Sequence, residues 1–332
     1  MMTAAARARP NIALVKYWGK RDARLNLPAA GSLSITLDAL YTDTRVTFDP
    51  ALTVDTMRLN DATEAPAGTR VRGCLDVLRT RAGIDAHARV HSHNNFPTAA
   101  GLASSASGFA ALVVAANAAL GDPLQRRELS ALARRGSGSA ARSLYGGFVL
   151  MHAGHRDDGA DACAEPLAAA ADWPLEVVIA VTSEAAKPVH SGDGMERTRH
   201  TSPYHRAWID SVHDDLATAR AAVAARDFQA LAEVSEHSCL KMHADMLATR
   251  PPLIYWNAAT VAGIECVRRL RMEEGLEVFF TIDAGPQLKA VCRPDAAHRV
   301  AAALADVPGV RRVLRSALGA GATRLDTDEL SS

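Results

Sequence analysis

Residues 94–107, Asn94-Asn95-Phe96-Pro97-Thr98-Ala99-Ala100-Gly101-Leu102-Ala103-Ser104-Ser105-Ala106-Ser107, constrain the fold of this chain more than any other stretch. A loop of proline and small residues runs straight into an alanine-rich apolar segment, 108–120, that reads as a buried helix. Gly101, Ser104 and Ser105 then stand at a helix start, where unpaired N–H groups meet the positive end of the helix dipole. Such a start is a natural phosphate seat. Glycine allows close backbone approach to an anion, and the serine hydroxyls can add hydrogen bonds or hold a metal ion. An ordinary capped helix after a small-residue turn is the competing reading of this stretch taken alone.

The surrounding sequence supplies the rest of an α/β fold. Asn11-Ile12-Ala13-Leu14-Val15 is a short apolar strand that ends in the basic, aromatic tip Lys16-Tyr17-Trp18-Gly19-Lys20 before the charged turn Arg21-Asp22. Ser32-Leu33-Ser34-Ile35-Thr36-Leu37 and Thr44-Arg45-Val46-Thr47-Phe48 alternate with period two and read as half-buried strands of an antiparallel sheet. A polar loop over 50–65, a helix over 66–82 and a strand over 87–91 lead to Pro97. Beyond the central helix come a helix over 123–134 and a strand over 144–151. Another strand, over 175–181, precedes a domain boundary, giving units 1–184 and 185–332. The second unit reads as a loop (186–202), helices near 203–224, 227–247 and 253–274, a hairpin (277–282 and 288–292), a helix (295–306) and a last strand (309–315).

The composition excludes several classes of function. Lys+Arg and Asp+Glu both total 37 in 332 residues, so the formal charge is zero. That argues against nucleic acid or an anionic membrane as principal partner, while leaving room for a local basic pocket. Five scattered cysteines without a C-x-x-C argue against a disulfide framework or a zinc site and fit a reducing compartment. The N-terminus lacks a secretory core, its Ala/Arg character only faintly resembling a transit peptide, so a cytoplasmic protein is expected.

Three anion-friendly elements stand out: the Lys16/Lys20 tip, the loop around Gly101 to Ser105, and Arg135-Gly136-Ser137-Gly138-Ser139-Ala140-Ala141-Arg142. The last matches G-x-G-x-x-A formally, but the dinucleotide fingerprint needs a strand before it and a helix after, and here the order is reversed. Asp283 ends an apolar strand in an Asp-Ala-Gly-Pro turn. Taken singly, it is a common turn former and Arg142 a common surface ion-pair partner. There is no Walker A ending, no H-x-x-x-H and no G-x-S-x-G. A phosphate cradle, basic residues and one placed carboxylate fit phosphoryl transfer to a hydroxyl, in which the protein positions groups and neutralises charge.

These motifs carry a resemblance. The stretch 97–106 resembles the phosphate loop of the GHMP kinase superfamily. Asn11 to Asp22, Arg135 to Gly147 and Asp283-Ala284-Gly285-Pro286, in this order and with Met242-His243 and Pro251-Pro252, resemble the diphosphomevalonate decarboxylase family over about residues 11–293. The resemblance implies a two-domain GHMP fold with antiparallel and mixed sheets against helices, the site in the cleft between domains, and a homodimer. It implies ATP- and Mg2+-dependent decarboxylation of mevalonate 5-diphosphate to isopentenyl diphosphate through phosphorylation of the 3-hydroxyl. Asp283 would orient or deprotonate that hydroxyl, with Arg142 and Lys20 as the other catalytic residues. Lys16, Tyr17, Ser137, Gly138, Ser139, Arg142 and Met195 would hold substrate. Asn11, Pro97, Ala100, Gly101, Leu102, Ala103, Ser104 and Ser105 would hold ATP, with Mg2+ on Ser104 or Ser105.

Two departures bear on specificity. The loop after the first strand reads Ala30-Gly31-Ser32 where family members commonly have Asn-Ser-Ser. The loop before Met195 lacks the paired serines or arginine often found there, although Thr198 and Thr201-Ser202 follow. The nearest rival is therefore a GHMP-type kinase or decarboxylase acting on mevalonate or mevalonate 5-phosphate. A catalytically dead ATP-binding relative and a hydride-transfer enzyme are the rivals of other classes.

Overall fold

The computed structural model describes residues 1–97, 103–185 and 187–326. In chain order it opens with strands β1 (Met2–Ala8), β2 (Asn11–Val15), β3 (Lys20–Asp22), β4 (Leu27–Pro28), β5 (Ser32–Thr36), β6 (Thr42–Asp49), β7 (Thr56–Leu59) and β8 (Ala65–Pro66). Helix α1 (Thr69–Ala82), strand β9 (His87–Asn94), helices α2 (Ser104–Ala119) and α3 (Arg126–Gly136) and a 3-10 turn (Gly138–Leu144) follow. Next come β10 (Phe148–Met151), β11 (Ala164–Ala168), β12 (Glu176–Val181), α4 (Ser191–Thr201), α5 (His205–Ala225), α6 (Phe228–Leu247) and α7 (Ala258–Glu274). The chain closes with β13 (Val278–Ile282), β14 (Leu288–Cys292), α8 (Ala297–Ala305), β15 (Arg312–Ala317) and β16 (Thr323–Leu325).

Three main sheets organise the molecule. Their strand orders are β16-β1-β6-β9-β7-β8, β11-β10-β5-β2 and β13-β14-β12-β15, with β3 and β4 forming a small ribbon. Among the described residues pairing is antiparallel except between β7 and β9, so the first sheet is mixed. Helix α2 is apolar around its whole circumference and is buried on the first sheet together with α1 and α3. The largest apolar cluster joins β2 and β5 to β12, α5, α6 and β13, and so spans both sides of residue 184. The last strand, β16, returns to pair with β1.

Several expectations are corrected here. β5 is buried along its whole length, because β2 and β10 flank it and α5 packs against it. Two of its three polar residues are held inside by hydrogen bonds, Ser32 Oγ accepting from Arg142 and Thr36 Oγ1 donating to the Tyr145 carbonyl, while the buried Ser34 hydroxyl has no partner among the described residues. The 50–65 loop contains β7 and β8, anchored where buried Asp55 accepts two bonds from Arg79 and one from the Ala88 amide. The strand expected from residue 144 begins at Phe148, after the 3-10 turn. The third long helix begins at Ala258, with a capping box between Asn257 and Thr260. The segment expected as a loop over 186–202 forms α4 from Ser191. Two glycines disguised it, and tertiary contacts hold it: Met195 is buried and Trp18 Nε1 donates to Thr198 Oγ1. β1 and β16 were hidden by short alanine-rich or polar sequence that alternates too weakly to be read alone.

Candidate active site

A cleft of about 710 Å³ is lined by the end of β2, the β3–β4 ribbon, the start of α2, the 3-10 turn, α4 and the β13–β14 turn. On its floor stands Asp283, the first residue after β13. Lys16, 1% exposed, donates from Nζ to Asp283 Oδ1 at 2.8 Å and to the Ala13 carbonyl at 2.9 Å. Lys289 on β14 is fully buried and donates to the other oxygen, Oδ2, at 3.1 Å. Burial by itself pushes the Asp283 pKa up, but the two ammoniums, Lys16 foremost, outweigh it and hold the carboxyl well below the usual carboxylate range. Burial lowers the pKa of Lys289, against the pull of Asp283.

Arg142 closes the floor on the opposite side and is buried, not a surface ion-pair partner. Its Nε donates to Asn11 Oδ1 at 3.0 Å and its Nη1 to Ser32 Oγ at 2.6 Å. Asn11 in turn donates to the Ser139 carbonyl and to Ser143 Oγ, so its amide locks the 3-10 turn and aims the guanidinium. Burial brings the Arg142 pKa down to about 10, with Asp283 opposing, which leaves it a cation at neutral pH. Its guanidinium carbon lies 6.0 Å from the centre of the Tyr17 ring. Burial pushes Tyr17 up to about 12, against Arg142 and Arg134, so the phenol keeps its proton. The Tyr17 hydroxyl is buried and has no hydrogen-bond partner among the described residues. Gly138 makes room for it, since a Cβ there would stand 2.2 Å from the phenol oxygen.

The rim is looser. Ser105 Oγ lies 3.2 Å from Ser137 Oγ, which lies 3.3 Å from Ser139 Oγ, so hydroxyls run from the start of α2 to the 3-10 turn. Ser104 and Ala103 also line the cleft. Ala103 sits at φ 58°, a left-handed conformation that costs a residue with a Cβ about 1–3 kcal/mol and clusters at ligand clamps. Lys20 lines the rim with Asp193 and Glu196 of α4. Burial lowers its pKa, Glu196 opposes, Arg70 reinforces and Asp193 opposes. Lys187 donates to Ser191 Oγ at 2.8 Å and to the Ala284 carbonyl at 3.1 Å, and burial lowers its pKa against Asp283.

The cleft therefore brings together Lys16, Tyr17, Lys20, Asn11, Ala103, Ser104, Ser105, Ser137, Gly138, Ser139, Arg142, Met195 and Asp283. Pro97 is not among the lining residues, and Ala100, Gly101 and Leu102 lie outside the described residues. Sequence reasoning missed Lys187, Lys289, Arg70, Asp193 and Glu196. Lys289 had a signal of its own, one charge inside the apolar strand Leu288-Lys289-Ala290-Val291-Cys292. Among the described residues no group of three or more His, Cys, Asp or Glu could hold a metal ion. A second depression, of about 770 Å³ between α7 and α8, lacks convergent chemistry; its Arg268 pairs with Glu265 one turn away.

The serine hydroxyls, the unpartnered phenol and the surrounding cations suit a polyphosphate ligand, with Mg2+ carried largely on phosphate oxygens. Comparisons with known proteins bear on the same point. Residues 8–164 match the diphosphomevalonate decarboxylase-like N-terminal domain and residues 177–318 the mevalonate 5-diphosphate decarboxylase C-terminal domain. The diphosphomevalonate decarboxylase of Gibberella zeae is 40% identical over 301 residues, covering 85% of this chain and 79% of that protein. The mevalonate diphosphate decarboxylase structure from Staphylococcus aureus superposes with a TM-score of 0.90 at 38% identity, over 98% of both chains. A structure described as MDDEF in complex with MVAPP, AMPPCP and magnesium gives 0.89 at 38% identity, over 98% of this chain and 99% of that one. With both family models placed in order and this cleft at its centre, the chain belongs to the diphosphomevalonate decarboxylase family.

Proposed function

We propose that this chain catalyses the ATP-dependent decarboxylation of mevalonate 5-diphosphate to isopentenyl diphosphate, releasing ADP, phosphate and CO2. The observation that carries the reading is the Asp283 carboxylate, held by two ammoniums and facing a cleft that it shares with Arg142, Tyr17 and five serines. ATP with Mg2+, once bound, supplies the phosphoryl group that makes the tertiary 3-hydroxyl a leaving group. The residues at the start of α2, Ser104 and Ser105, would hold its phosphates and offer one oxygen to the metal.

Asp283 accepts the hydrogen bond of the 3-hydroxyl. Held well below the usual range, it is a weak base, so its main contribution is to orient the oxygen, with proton transfer completed late. Arg142 presents a planar fork to the substrate carboxylate, steadied by Asn11 and Ser32, and it keeps that carboxylate ionised until it leaves as CO2. The Tyr17 phenol, neutral and unpartnered, donates to a phosphate oxygen. Ser137 and Ser139 add donors, while Lys16 and Lys20 neutralise charge. The reading also takes the enzyme as cytoplasmic, supported by five free buried cysteines, and as a homodimer with units 1–184 and 185–332. No described helix is long and apolar enough to cross a membrane.

A second reading, mevalonate 5-phosphate as preferred substrate, is favoured by one observation: Asp193 and Glu196 stand beside Lys20 at the rim. Carbon dioxide release from carboxyl-labelled mevalonate 5-diphosphate, with ADP followed in parallel and mevalonate 5-phosphate run beside it, separates the two. Equal ADP and CO2 from the diphosphate, abolished by chelating Mg2+, is the expected result. ADP without CO2 would make the chain a 3-kinase, and turnover of the monophosphate alone would establish the second reading.

A further inference from the structure

β14 is buried along its length and apolar except for Lys289. A lysine in such a strand gives up its hydration, which sequences rarely tolerate without a strong partner. The partner is Asp283 Oδ2, at 3.1 Å, while Lys16 occupies Oδ1 at 2.8 Å. The two ammoniums come from different sheets, Lys16 just past β2 and Lys289 from the hairpin partner of β13. One donor would leave the carboxylate free to swing about its last torsion. Two donors on separate oxygens fix that rotation, and β-sheet register fixes Lys289 opposite Thr281, two residues before Asp283.

The groups facing this carboxylate come from five elements. They are Lys16, Lys289, Lys187 before α4, Arg142 in the 3-10 turn, and Cys239 and His243 of α6. Burial raises the Cys239 thiol and pushes His243 down to about 3, so both are neutral near pH 7. The Nε2 atom of His243 lies 3.2 Å from the Trp256 Nε1 donor and 3.3 Å from the Ile282 carbonyl. The charged groups around Asp283, among the described residues, are therefore cations.

We propose that Lys289 is a positioning residue for the reaction: by holding Oδ2 while Lys16 holds Oδ1, it fixes the rotation of the Asp283 carboxylate and extends activity to lower pH. This rests on the reading of Asp283 as the group that meets the substrate hydroxyl. Lys289→Met keeps length and burial but removes the charge; Lys289→Arg restores a charge. The pH profile of kcat would be measured for both beside the unaltered chain, with KM for ATP and Tm. In Lys289→Met, kcat at neutral pH should fall about tenfold with KM for ATP changed less than about twofold, the pattern of a lost orienting contact. Its acid limb should move up by about one pH unit or more, and Lys289→Arg should recover most of both losses. A lower Tm with the acid limb unmoved would overturn the proposal.

A second measurement needs neither turnover nor a stable variant. The carboxyl carbon-13 signal of Asp283, identified by its loss in Asp283→Asn, should stay at its ionised position through about pH 4, the ordinary range for aspartate. Titration of that signal in the ordinary range would overturn the proposal even if Lys289→Met does not fold. A failure to release CO2 would instead count against the decarboxylase reading and leave this result standing.

Discussion

On the floor of the cleft the charges have partners before any ligand arrives: both Asp283 oxygens accept from ammoniums, and Arg142 is held by Asn11 and Ser32. On the rim, the Lys20 ammonium makes no hydrogen bond among the described residues, and the hydroxyls of Ser105, Ser137 and Ser139 form a chain of contacts at 3.2–3.3 Å. The floor is preorganised, as a site must be where charge moves during the chemical step. The rim keeps its donors for phosphates that bring their own charge. Changes to the floor should therefore act on kcat, and changes to the rim on KM.

The largest effect is expected at Asp283→Asn. Losing the oriented acceptor should lower kcat about 10²–10⁴-fold, with KM for ATP little changed. It should also lower stability, because Lys16 and Lys289 would be left buried without their carboxylate. The sign with pH is fixed. A carboxyl whose folded pKa is depressed contributes stability present above its unfolded pKa and lost as pH falls through the lower folded value. Thermal unfolding from acid to alkaline pH checks this. The variant should lack that acid-side loss and should gain stability toward alkaline pH as the stranded lysines shed protons. A kcat drop of less than tenfold would break the contrast between floor and rim.

Lys20→Met should act the other way, raising KM for the diphosphate substrate by about tenfold or more with kcat less affected, since a charge-assisted contact to phosphate is lost. Burial lowers the Lys20 pKa, so in the unaltered chain substrate affinity should fade as pH rises through that lowered value, earlier than for an ordinary lysine. Steady-state KM against pH reads this directly, and Lys20→Arg should move the loss to higher pH. An unchanged KM in Lys20→Met would take Lys20 out of substrate binding.

The same contrast explains what could be read from sequence. The floor residues Lys16, Arg142 and Asp283 stand in short ordered motifs, at the end of an apolar strand, after a Gly/Ser run and in a Gly-Pro turn, so spacing and resemblance found them. Lys289 was missed because its role depends on hairpin register, which pairs β13 with β14 and sets the lysine opposite Thr281. Helix α4 was read as a loop because Gly192 and Gly194 obscure its period; Gly194 is needed where a Cβ would stand 3.0 Å from both Trp18 and Tyr255. Once the helix forms, Asp193 and Glu196 face Lys20, which no local pattern announces. The weakly alternating β1 and β16 pair across almost the whole chain, a long-range contact that no local window of sequence contains.

The smallest effect, and the one that most sharpens the comparison, is expected at Asp193→Asn. Asp193 lies on the rim in the first turn of α4, where a carboxylate is favoured by the helix dipole and opposes the burial of Lys20. It also repels an incoming phosphate. Removing its charge should lower KM for mevalonate 5-diphosphate by about two- to fivefold at low salt, leave kcat alone, and lose most of this gain by about 0.5 M salt as screening sets in. The monophosphate, with less charge, should gain less. If instead the monophosphate gains as much as the diphosphate, Asp193 acts by ordering α4 and not by its field, and specificity between the two substrates must be set deeper, where Arg142, Tyr17 and the serines of the 3-10 turn meet the ligand.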